Sequence, residues 1–339
     1  MDLMNKIIVG DSSVELKKFP SNSIDLIITS PPYFQQREYG FGGIGNEKSE
    51  MEYLNNLYQV FAECVRLTKK TGSIVINLGD KYLDSSLSLI PYKFAIGVIE
   101  KFKLKLINNL TWIKLNPTPR QDKRKLVQST EPFFIFIKSN DYYFNQDAYL
   151  DYLELLKISS KKNSGNGNGI GKKYYELLDK SDLSKEEKAH ARKELDKVIT
   201  EVKTGELESF RMKIRNIHSQ PFGGQEGGRK MHIEKHGFTI IRIYGKSLKK
   251  DVIESPVESI RGNPHPAVYP EYVIQQIIKL LTKENDIVLD PFCGSGTTCV
   301  AAKMLKRKYL GIEINPEYVN YAQERLNQTE DEQIEMVFI

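Results

Sequence analysis

Short apolar runs bounded by polar turns recur towards both ends of the chain. They read KIIVGD, SIDLIITS and GSIVINLGD in the first third, and DIVLD and KYLGIEI in the last. Continuous apolar runs of this length are typical of parallel strands that are buried on both faces of a sheet. We therefore predict a strand at each of these positions. LINNLTWIKL and PFFIFIKS predict two more strands.

Segments with helical periodicity separate these strands. Apolar residues recur at helical spacing over residues 52–69, 90–102, 271–281, 297–306 and 316–326. Alternation of strands and helices is typical of a sheet with helices on both faces. The pattern predicts an α/β fold built on a doubly wound, Rossmann-like, mostly parallel sheet.

The middle of the chain has a different character. KNSGNGNGIGKK has the composition of a flexible linker, and a charged helix is predicted after it, with Ser184 and Glu187 spaced as a capping box. FGGQEGGRK is a second glycine-rich segment, and regular alternation resumes near Pro270. We predict one α/β domain made of residues 1–140 and 257–328. An inserted region would span residues 141–256, and an acidic tail residues 329–339.

The positive charge of the chain is concentrated in two stretches. The net charge of the 339 residues is +5, but residues 101–125 carry +7 and residues 211–250 carry +8, so the remainder is acidic. Basic stretches on an otherwise acidic protein predict a surface that binds a polyanion such as nucleic acid. Two basic surfaces that simply face solvent are the alternative.

Composition places the chain among cytoplasmic proteins. No apolar run is long enough to span a bilayer, and MDLMNKIIVGD lacks the layout of a signal peptide. Cys64, Cys293 and Cys299 are too few and too scattered for a disulfide framework or a zinc site. We expect a cytoplasmic location and no membrane association.

The strand in DLIITSPPY ends on two prolines. Proline has no backbone N–H and fixes its own φ, so Pro31 and Pro32 end the strand abruptly between Ser30 and Tyr33. An ordinary strand exit has the same pattern. The alternative is a rigid corner that presents a hydroxyl and an aromatic ring together.

A glycine-rich turn lies between strand and helix in IVLDPFCGSGTTCVAA. Gly294 and Gly296 allow a sharp bend and a close ligand approach, but the lysine of a phosphate-binding loop is missing. The third glycine of a dinucleotide fingerprint is replaced by Cys299. Glu313 follows at a spacing of roughly 20 residues, where an acid meets ribose hydroxyls. The turn and the acid predict an adenosine-containing ligand that is not held by its phosphates.

TSPPY followed by DPFCGSGTT resembles the DNA amino-methyltransferases, which use S-adenosyl-L-methionine to modify exocyclic nitrogens. The order of the two motifs is similar to the β-group permutation of that family. INLGDKY, LTWIKLNPTPR, EPFFIFIKSNDYYF, GNPHPAVYP and IEINPEYVNYAQERL extend the resemblance over most of residues 7–326. It implies a circularly permuted class I methyltransferase sheet with one antiparallel strand. Residues 1–140 would be its catalytic half, residues 257–328 its cofactor half, and the insertion a target-recognition region.

The resemblance also implies roles for individual residues. Tyr33 would stack on a flipped base while Ser30 and the Pro31 carbonyl accept the amine protons, a reading that the rigid corner also favours. The expected catalytic residues are Ser30, Pro31, Pro32 and Tyr33. Those expected at the cofactor are Asp11, Asp290, Phe292, Cys293, Gly294, Gly296, Glu313, His265 and Pro266. Those expected at DNA are Arg120, Lys123, Arg124, Lys125, Arg211, Lys213, Arg215, Arg229 and Lys230.

For some of these residues, a simpler structural role is the alternative. Asp11 is expected at the cofactor's adenine amine, but a turn residue after a strand has the same pattern. Asp80 matches a family position in the active-site cleft, and a helix cap is its alternative. His232 and His236 have zincin-like spacing, yet Ile233 stands where the catalytic glutamate would be. We predict no metal and assign both histidines to a surface or phosphate contact.

The target atom follows from the residue before the two prolines. Family members with serine there mostly modify cytosine N4, so Ser30 favours cytosine, with adenine N6 as the alternative. RNA or protein methylation and a catalytically inactive DNA-binding partner are less favoured. The expected macromolecular partner is double-stranded DNA, with a possible cognate restriction endonuclease. The protein would be a monomer or a homodimer.

Overall fold

The computed structural model describes residues 4–36, 42–117, 124–149, 170–218, 229–244, 249–257 and 269–329, without the side chains of residues 229 and 230. The chain divides into two compact units. Unit 1 comprises Met1–Leu156 and Lys249–Ile339, and unit 2 comprises Lys157–Leu248. Within the described ranges, no helix is both long and apolar enough to cross a membrane.

The described strands and helices are as follows. The strands are β1 Lys6–Val9, β2 Ile24–Thr29, β3 Thr68–Asn77, β4 Tyr82–Leu83, β5 Ser86–Leu87, β6 Lys105–Lys114, β7 Thr130–Ile137, β8 Ser209–Ile214, β9 Phe238–Ile243, β10 Val252–Ser255, β11 Ile287–Asp290 and β12 Lys308–Glu313. The helices are α1 Ser12–Glu15, α2 Glu50–Leu67, α3 Ile90–Phe102, α4 Lys172–Lys180, α5 Lys185–Lys203, α6 Arg229–His236, α7 Glu271–Leu281, α8 Thr297–Met304 and α9 Pro316–Gln328.

Unit 1 is built on an eight-stranded sheet with the order β1-β12-β11-β2-β3-β7-β6-β10. All neighbouring strands are parallel except β7, which runs antiparallel to both β3 and β6. Among the described strands, the last two, β11 and β12, lie between the first two, β1 and β2. The predicted permuted, doubly wound sheet with one antiparallel strand is therefore confirmed.

Helices cover both faces of this sheet, which explains the continuous apolar runs. On one face, Ile27 and Ile74 belong to the same buried cluster as Tyr53 and Phe61 of α2. On the other, neighbouring positions such as Leu26 belong to a cluster with residues of α7 and α8. Full burial of one Leu, Ile or Val side chain stabilises a fold by about 1.5–3 kcal/mol. Buried side chains on both faces of each strand therefore contribute to the stability of unit 1.

Strand β10 was not predicted, and it moves the edge of the inserted region. It pairs in parallel with β6, with Ile253 opposite Trp112, and so extends the sheet of unit 1. Its four residues alternate between partly buried and buried, which gives no continuous apolar run. Of the predicted insertion, residues 141–256, the described residues 141–149 and 249–256 belong to unit 1, while unit 2 spans Lys157–Leu248. Residues 330–339 of the expected acidic tail lie outside the described residues.

Unit 2 has a small core of its own. Helices α4 and α5 pack with the antiparallel pair β8–β9, and Leu178, Leu195 and Met212 are buried among them. The predicted capping box at the start of α5 is confirmed. Ser184 Oγ accepts from the Glu187 N–H at 3.1 Å, and Glu187 Oε2 accepts from the Ser184 N–H at 2.9 Å.

Candidate active site

The carboxyl ends of four adjacent parallel strands meet at one edge of the unit 1 sheet. Val9 of β1 is in register with Glu313 of β12, and Asp290 of β11 with Gly311 of β12. Strand β2 pairs with the other side of β11. The residues that follow these strands are therefore neighbours, as expected for a ligand site in an open α/β sheet.

A cavity of about 1110 Å³ lies at this edge, entirely within unit 1. Its walls include both motifs singled out in the sequence, namely Asp11, Ser30, Pro31, Pro32, Tyr33, Phe292, Cys293, Gly294 and Glu313. Pockets that hold one drug-sized ligand measure about 300–1,000 Å³. The serine corner and the glycine turn therefore share a space with room for two ligands.

Two carboxylates on the glycine-turn side have acceptor capacity left over. Glu313 Oε2 accepts from the Gly294 N–H at 2.8 Å, and Oε1 accepts from the Asn315 N–H at 3.0 Å. Asp11 Oδ1 accepts from the Ser13 N–H at 2.7 Å and so caps α1. A carboxylate has about four lone-pair sites, so both side chains can accept further hydrogen bonds from a ligand. Burial raises the pKa of Glu313 above its usual value, while the backbone donors oppose that rise.

Asp290 and Gly296 do not line the cavity, in contrast to their predicted contact with the cofactor. Asp290 is 1% exposed and accepts four hydrogen bonds, two on each oxygen. Two of the donors are Thr29 Oγ1 at 2.5 Å and the Phe292 N–H at 3.0 Å. Burial raises its pKa, and the donors oppose that rise. Asp290 thus ties the end of β2 to the glycine turn.

Gly296 is required by helix packing. Its φ is +82°, and a Cβ on it would lie 2.7 Å from Ala322 Cβ in α9. Any larger residue would push α9 away from the turn. Gly294, with φ +53°, remains at the cavity wall, where its N–H is bound to Glu313.

Neighbouring residues hold the serine corner rigidly. The Tyr53 hydroxyl donates to the Pro32 carbonyl at 3.0 Å, and Ser30 Oγ donates to the Tyr33 hydroxyl at 3.1 Å. A Cβ on Gly79 would lie 2.3 Å from the Tyr33 ring, so the ring rests directly against this glycine. Within the described part of the chain, no hydrogen bond occupies the Pro31 carbonyl.

Three polar side chains at this corner were missed by sequence reasoning. The Tyr33 hydroxyl donates to Asn77 Oδ1 at 2.7 Å and also lies 3.2 Å from Glu131 Oε2. Lys114 forms an ion pair with Glu131, and all three line the cavity. Burial and then the charge of Glu131 raise the pKa of Tyr33 well above its usual value, so the phenol stays neutral. In the sequence, the one signal for these residues is the charge of Glu131 at the start of the apolar run EPFFIFI.

The charges around the cavity favour a cationic ligand at the glycine turn. Its described lining contains four carboxylates, on Asp11, Asp80, Glu131 and Glu313, and two ammonium groups, on Lys81 and Lys114. Both lysines lie near the serine corner, since Lys114 is paired with Glu131 and Lys81 Nζ lies over the Phe34 ring. Among the described residues, no ion pair engages Asp11 or Glu313, and such carboxylates suit ribose hydroxyls and a sulfonium group, but not a pyrophosphate. The acceptor groups and negative charge at the glycine turn therefore fit S-adenosyl-L-methionine.

Asp80 lines the cavity, but its carboxylate is occupied. Oδ1 accepts from the Lys81 N–H at 2.9 Å and from Ser88 Oγ, and Oδ2 accepts from the Leu89 N–H at 3.0 Å. These bonds fix the short β4–β5 hairpin and the start of α3. Asp80 thus lies at the cleft, but it does not cap α3, whose N-cap is Leu89 and has no side-chain cap hydrogen bond.

The residues expected at DNA are only partly described. Arg120 and Lys123 lie outside the described residues, as do the side chains of Arg229 and Lys230 and the cofactor residues His265 and Pro266. Arg124 and Lys125 are described but do not line the cavity; Lys125 Nζ lies 4.2 Å from the centroid of the Tyr82 ring.

Three expected DNA contacts lie in or beside β8 of unit 2. Arg211 and Lys213 alternate with the buried Met212 and Ile214, so they project from the opposite face of the strand. Arg215 is paired with Glu187, at 3.1 Å.

The histidines of HIEKH form a cluster in unit 2. The rings of His232 and His236 are 4.8 Å apart, and those of His190 and His236 are 5.8 Å apart. No set of His, Cys, Asp and Glu side chains in the described ranges is arranged to hold a metal ion. Burial and the neighbouring positive charges lower the pKa of His236.

Residues 24–324 match a protein family, N6_N4_Mtase, whose description is DNA methylase. The chain belongs to this family of DNA methylases. This DNA methylase is 26% identical to the type II methyltransferase M.Cfr9I of Citrobacter freundii, over 94% of this chain and 86% of the relative. It is 27% identical to the DNA adenine methyltransferase YhdJ of Escherichia coli K12, over 95% and 82%. The family uses S-adenosyl-L-methionine.

Solved structures share the fold of the methylase. The PvuII DNA methyltransferase, named cytosine-N4-specific, superposes with a TM-score of 0.59 at 18% identity and covers 94% of this chain and 85% of its own. TTHA0409 of Thermus thermophilus, solved with S-adenosyl-L-methionine, gives a TM-score of 0.52 at 20% identity, over 96% and 95%. The class I methyltransferase fold of unit 1 is confirmed.

Proposed function

We propose that this methylase transfers a methyl group from S-adenosyl-L-methionine to the exocyclic N4 of a cytosine extruded from duplex DNA. The observation that carries the proposal is the single cavity that joins the Ser30 corner to the glycine turn and Glu313. An adjacent target base and cofactor are what an in-line transfer requires. Family membership supports DNA as the substrate.

The glycine-turn side of the cavity would hold the cofactor. Glu313 would accept from the ribose hydroxyls with its remaining lone pairs, and Asp11 Oδ2 would accept from the adenine amine. Phe292, Cys293 and Gly294 line the wall beside them. The cofactor, when bound, supplies an electrophilic methyl group on a sulfonium centre. The carboxylates of the chain orient it and balance its positive charge.

The serine corner would hold the base. Tyr33 supplies the stacking face, while Ser30 Oγ and the Pro31 carbonyl accept the two amine protons. The lone pair of that amine is delocalised into the base. Acceptors that favour a pyramidal nitrogen localise the lone pair on it and make it a better nucleophile. Alignment of nucleophile and methyl group can remove about 7–11 kcal/mol of barrier.

The choice of cytosine rests on the serine. In the resemblance described above, serine before the two prolines accompanies cytosine N4 more often than adenine N6. The fold likeness to a cytosine-N4-specific enzyme is compatible with this choice. A neutral hydroxyl can accept from either amine, and a relative of the chain is named an adenine methyltransferase. Adenine N6 is therefore the second candidate.

Methyl transfer to duplex DNA tests the proposal directly. The protein is incubated with methyl-labelled S-adenosyl-L-methionine and duplex DNA, and the DNA is digested to nucleosides for mass spectrometry. We expect N4-methyldeoxycytidine; N6-methyldeoxyadenosine would select the second candidate. Parallel incubations with transfer RNA and protein are the control. Label in those substrates alone would overturn the proposal.

The same reaction can identify the recognition site. Modified-base sequencing of DNA from cells expressing the protein would give the base and its sequence context together. The names of the type II relatives suggest a cognate restriction endonuclease. We propose that methylation protects that site, and DNA that remains cleavable by an endonuclease of the same specificity would contradict this role.

We propose that unit 2 contacts the DNA. Arg211 is exposed and Lys213 half-buried on the outer face of β8, and the surrounding stretch carries excess positive charge. Side chains of this kind neutralise phosphates, which gives affinity, and can also address base edges in the major groove. This extends to unit 2 the recognition role that the resemblance implies for the insertion.

Replacing both Arg211 and Lys213 by glutamine should weaken DNA binding without changing cofactor affinity. If each neutralises one phosphate, the slope of log K against log salt should become shallower by about 1.8, because each contact contributes about 0.9. Fluorescence anisotropy with labelled duplex at several salt concentrations measures this. A Lys193→Gln/Lys197→Gln protein, with the same charge change on α5, is the control. An unchanged slope in the first protein would remove β8 from the DNA interface.

A further inference from the structure

Hydrogen bonds leading away from Ser30 end on a carboxylate. Ser30 Oγ donates to the Tyr33 hydroxyl at 3.1 Å, which leaves the lone pairs of Ser30 available to the target amine. The Tyr33 hydroxyl has one proton and two acceptors, Asn77 Oδ1 at 2.7 Å and Glu131 Oε2 at 3.2 Å. Hydrogen bonds of a catalytic group are often long in a ligand-free structure and tighten when the substrate binds.

The two acceptors differ in chemistry. Asn77 is held in place because its Nδ2 donates to the Pro132 carbonyl at 3.1 Å, and a neutral amide cannot take up a proton at ordinary pH. Glu131 can accept the proton fully. Its other oxygen is paired with Lys114, and the side chains of Lys114 and Glu131 are 20% and 15% exposed. Glu131 is therefore a charged acceptor in contact with solvent.

We propose that Glu131 is a positioning residue for the transfer, and the terminal proton acceptor of a relay from the target amine through Ser30 and Tyr33. The inference rests on the proposed function, because the relay needs an amine at Ser30. Asn77 holds the phenol, and Glu131 receives its proton. Lys114 balances the charge of Glu131 before transfer.

The step conserves atoms and charge. The amine nitrogen bonds to the methyl carbon, and the electrons of the carbon–sulfur bond stay with sulfur. The positive charge thereby passes to the amine, which becomes a strong acid because its lone pair no longer conjugates with the ring. Its proton moves to Ser30 Oγ, the Ser30 proton moves to the Tyr33 oxygen, and the Tyr33 proton moves to Glu131 Oε2. Solvent then takes the proton from Glu131.

The relay acts before the proton leaves. Positive charge develops on the amine in the transition state, and an oriented chain of dipoles ending on a carboxylate stabilises it. Removing the charge of Glu131 should therefore slow methyl transfer itself. Cofactor and DNA affinity should not change, because Glu131 makes neither contact in the proposed arrangement.

Glu131→Gln tests the relay because it keeps the shape and removes the ability to take a proton. We expect the single-turnover rate to fall by about 10²-fold, with the dissociation constants of S-adenosyl-L-methionine and duplex DNA changed less than about twofold. In the Ser30→Ala/Glu131→Gln protein the two losses should not add, because residues that act as a unit are non-additive. Glu50→Gln is the control, since Glu50 forms a comparable ion pair with Lys93 away from the cavity.

Each other outcome overturns the relay. An unchanged rate in Glu131→Gln would remove Glu131 from the reaction, and a loss of ligand affinity would assign it a structural role. Additive losses in the double variant would show that Glu131 acts independently of Ser30. Failure of the proposed function is distinguishable, because the unmodified protein would then transfer no methyl group to DNA.

Discussion

Replacing Ser30 by alanine is expected to reduce the single-turnover rate of methyl transfer by about 10²-fold or more. The substitution removes the hydroxyl that lines the cavity and donates to Tyr33 at 3.1 Å. The amine then loses one of its two acceptors, and its lone pair stays delocalised in the base. Binding should be nearly unaffected, because Tyr33 and the Pro31 carbonyl remain. Rapid-quench assays with excess enzyme, together with binding isotherms for cofactor and DNA, measure both quantities.

The matched control for this prediction is Ser23→Ala. Ser23 lies just before β2, where its hydroxyl donates to the Pro20 carbonyl at the surface. This variant should transfer methyl groups at the unmodified rate. If Ser30→Ala does so as well, the serine has no part in the reaction. If Ser30→Ala instead lowers the affinity for the cofactor, then Ser30 contributes to cofactor binding, which the proposal does not include.

Glu313→Ala is expected to weaken cofactor binding by about 10²-fold or more. Hydrogen bonds to a charged group contribute about 1.5–3 kcal/mol each, and the side chain would lose two with the ribose. Every 1.4 kcal/mol corresponds to about tenfold in affinity, so two bonds account for the expected loss. Isothermal titration of S-adenosyl-L-methionine into the protein measures the effect without any DNA present.

A second contribution must be separated from this loss. Glu313 also accepts from the N–H groups of Gly294 and Asn315, so its removal loosens the glycine turn. Glu313→Gln keeps one acceptor oxygen and should retain part of the affinity. Glu317→Ala removes an exposed carboxylate in the first turn of α9 and should leave the dissociation constant of the cofactor unchanged. A Glu313→Ala protein that binds the cofactor normally would refute the role of Glu313 at the ribose.

The main sheet could be predicted from the sequence because its strands are buried on both faces. Such strands read as continuous apolar runs, and the alternating helices then fix a parallel arrangement. Strand β10 was not predicted because four residues that alternate between partly buried and buried cannot be distinguished from a loop by their pattern. The β8–β9 pair was not predicted because Arg211 and Lys213, on the outer face of β8, leave no continuous apolar run in the sequence. Pairing partners of such short strands are set by tertiary packing, which local pattern does not encode.

The candidate site was predictable only where motif residues follow strands directly. Ser30, Tyr33 and Glu313 lie in the cavity because parallel strands bring their carboxyl ends together. Glu131 lies at the cavity through antiparallel pairing, in which Glu131 is opposite Trp112, and sequence pattern alone does not give that register. Asp290 is expected at the cofactor, and the structure shows it buried, with hydrogen bonds that link the end of β2 to the glycine turn. Sequence order cannot tell a buried acid from one at the cavity wall.

The interleaving of first and last strands has a consequence for biosynthesis. Strand β2 ends at Thr29, whereas its neighbour β11 begins at Ile287. Translation proceeds at about 5–20 residues per second, so the early strand waits roughly 13–50 s for its partner. The edge of β2 that faces β11 stays without its partner during that interval, because β3 pairs with the opposite edge. A cofactor site that needs Glu313 can therefore form only after β12 has been synthesised.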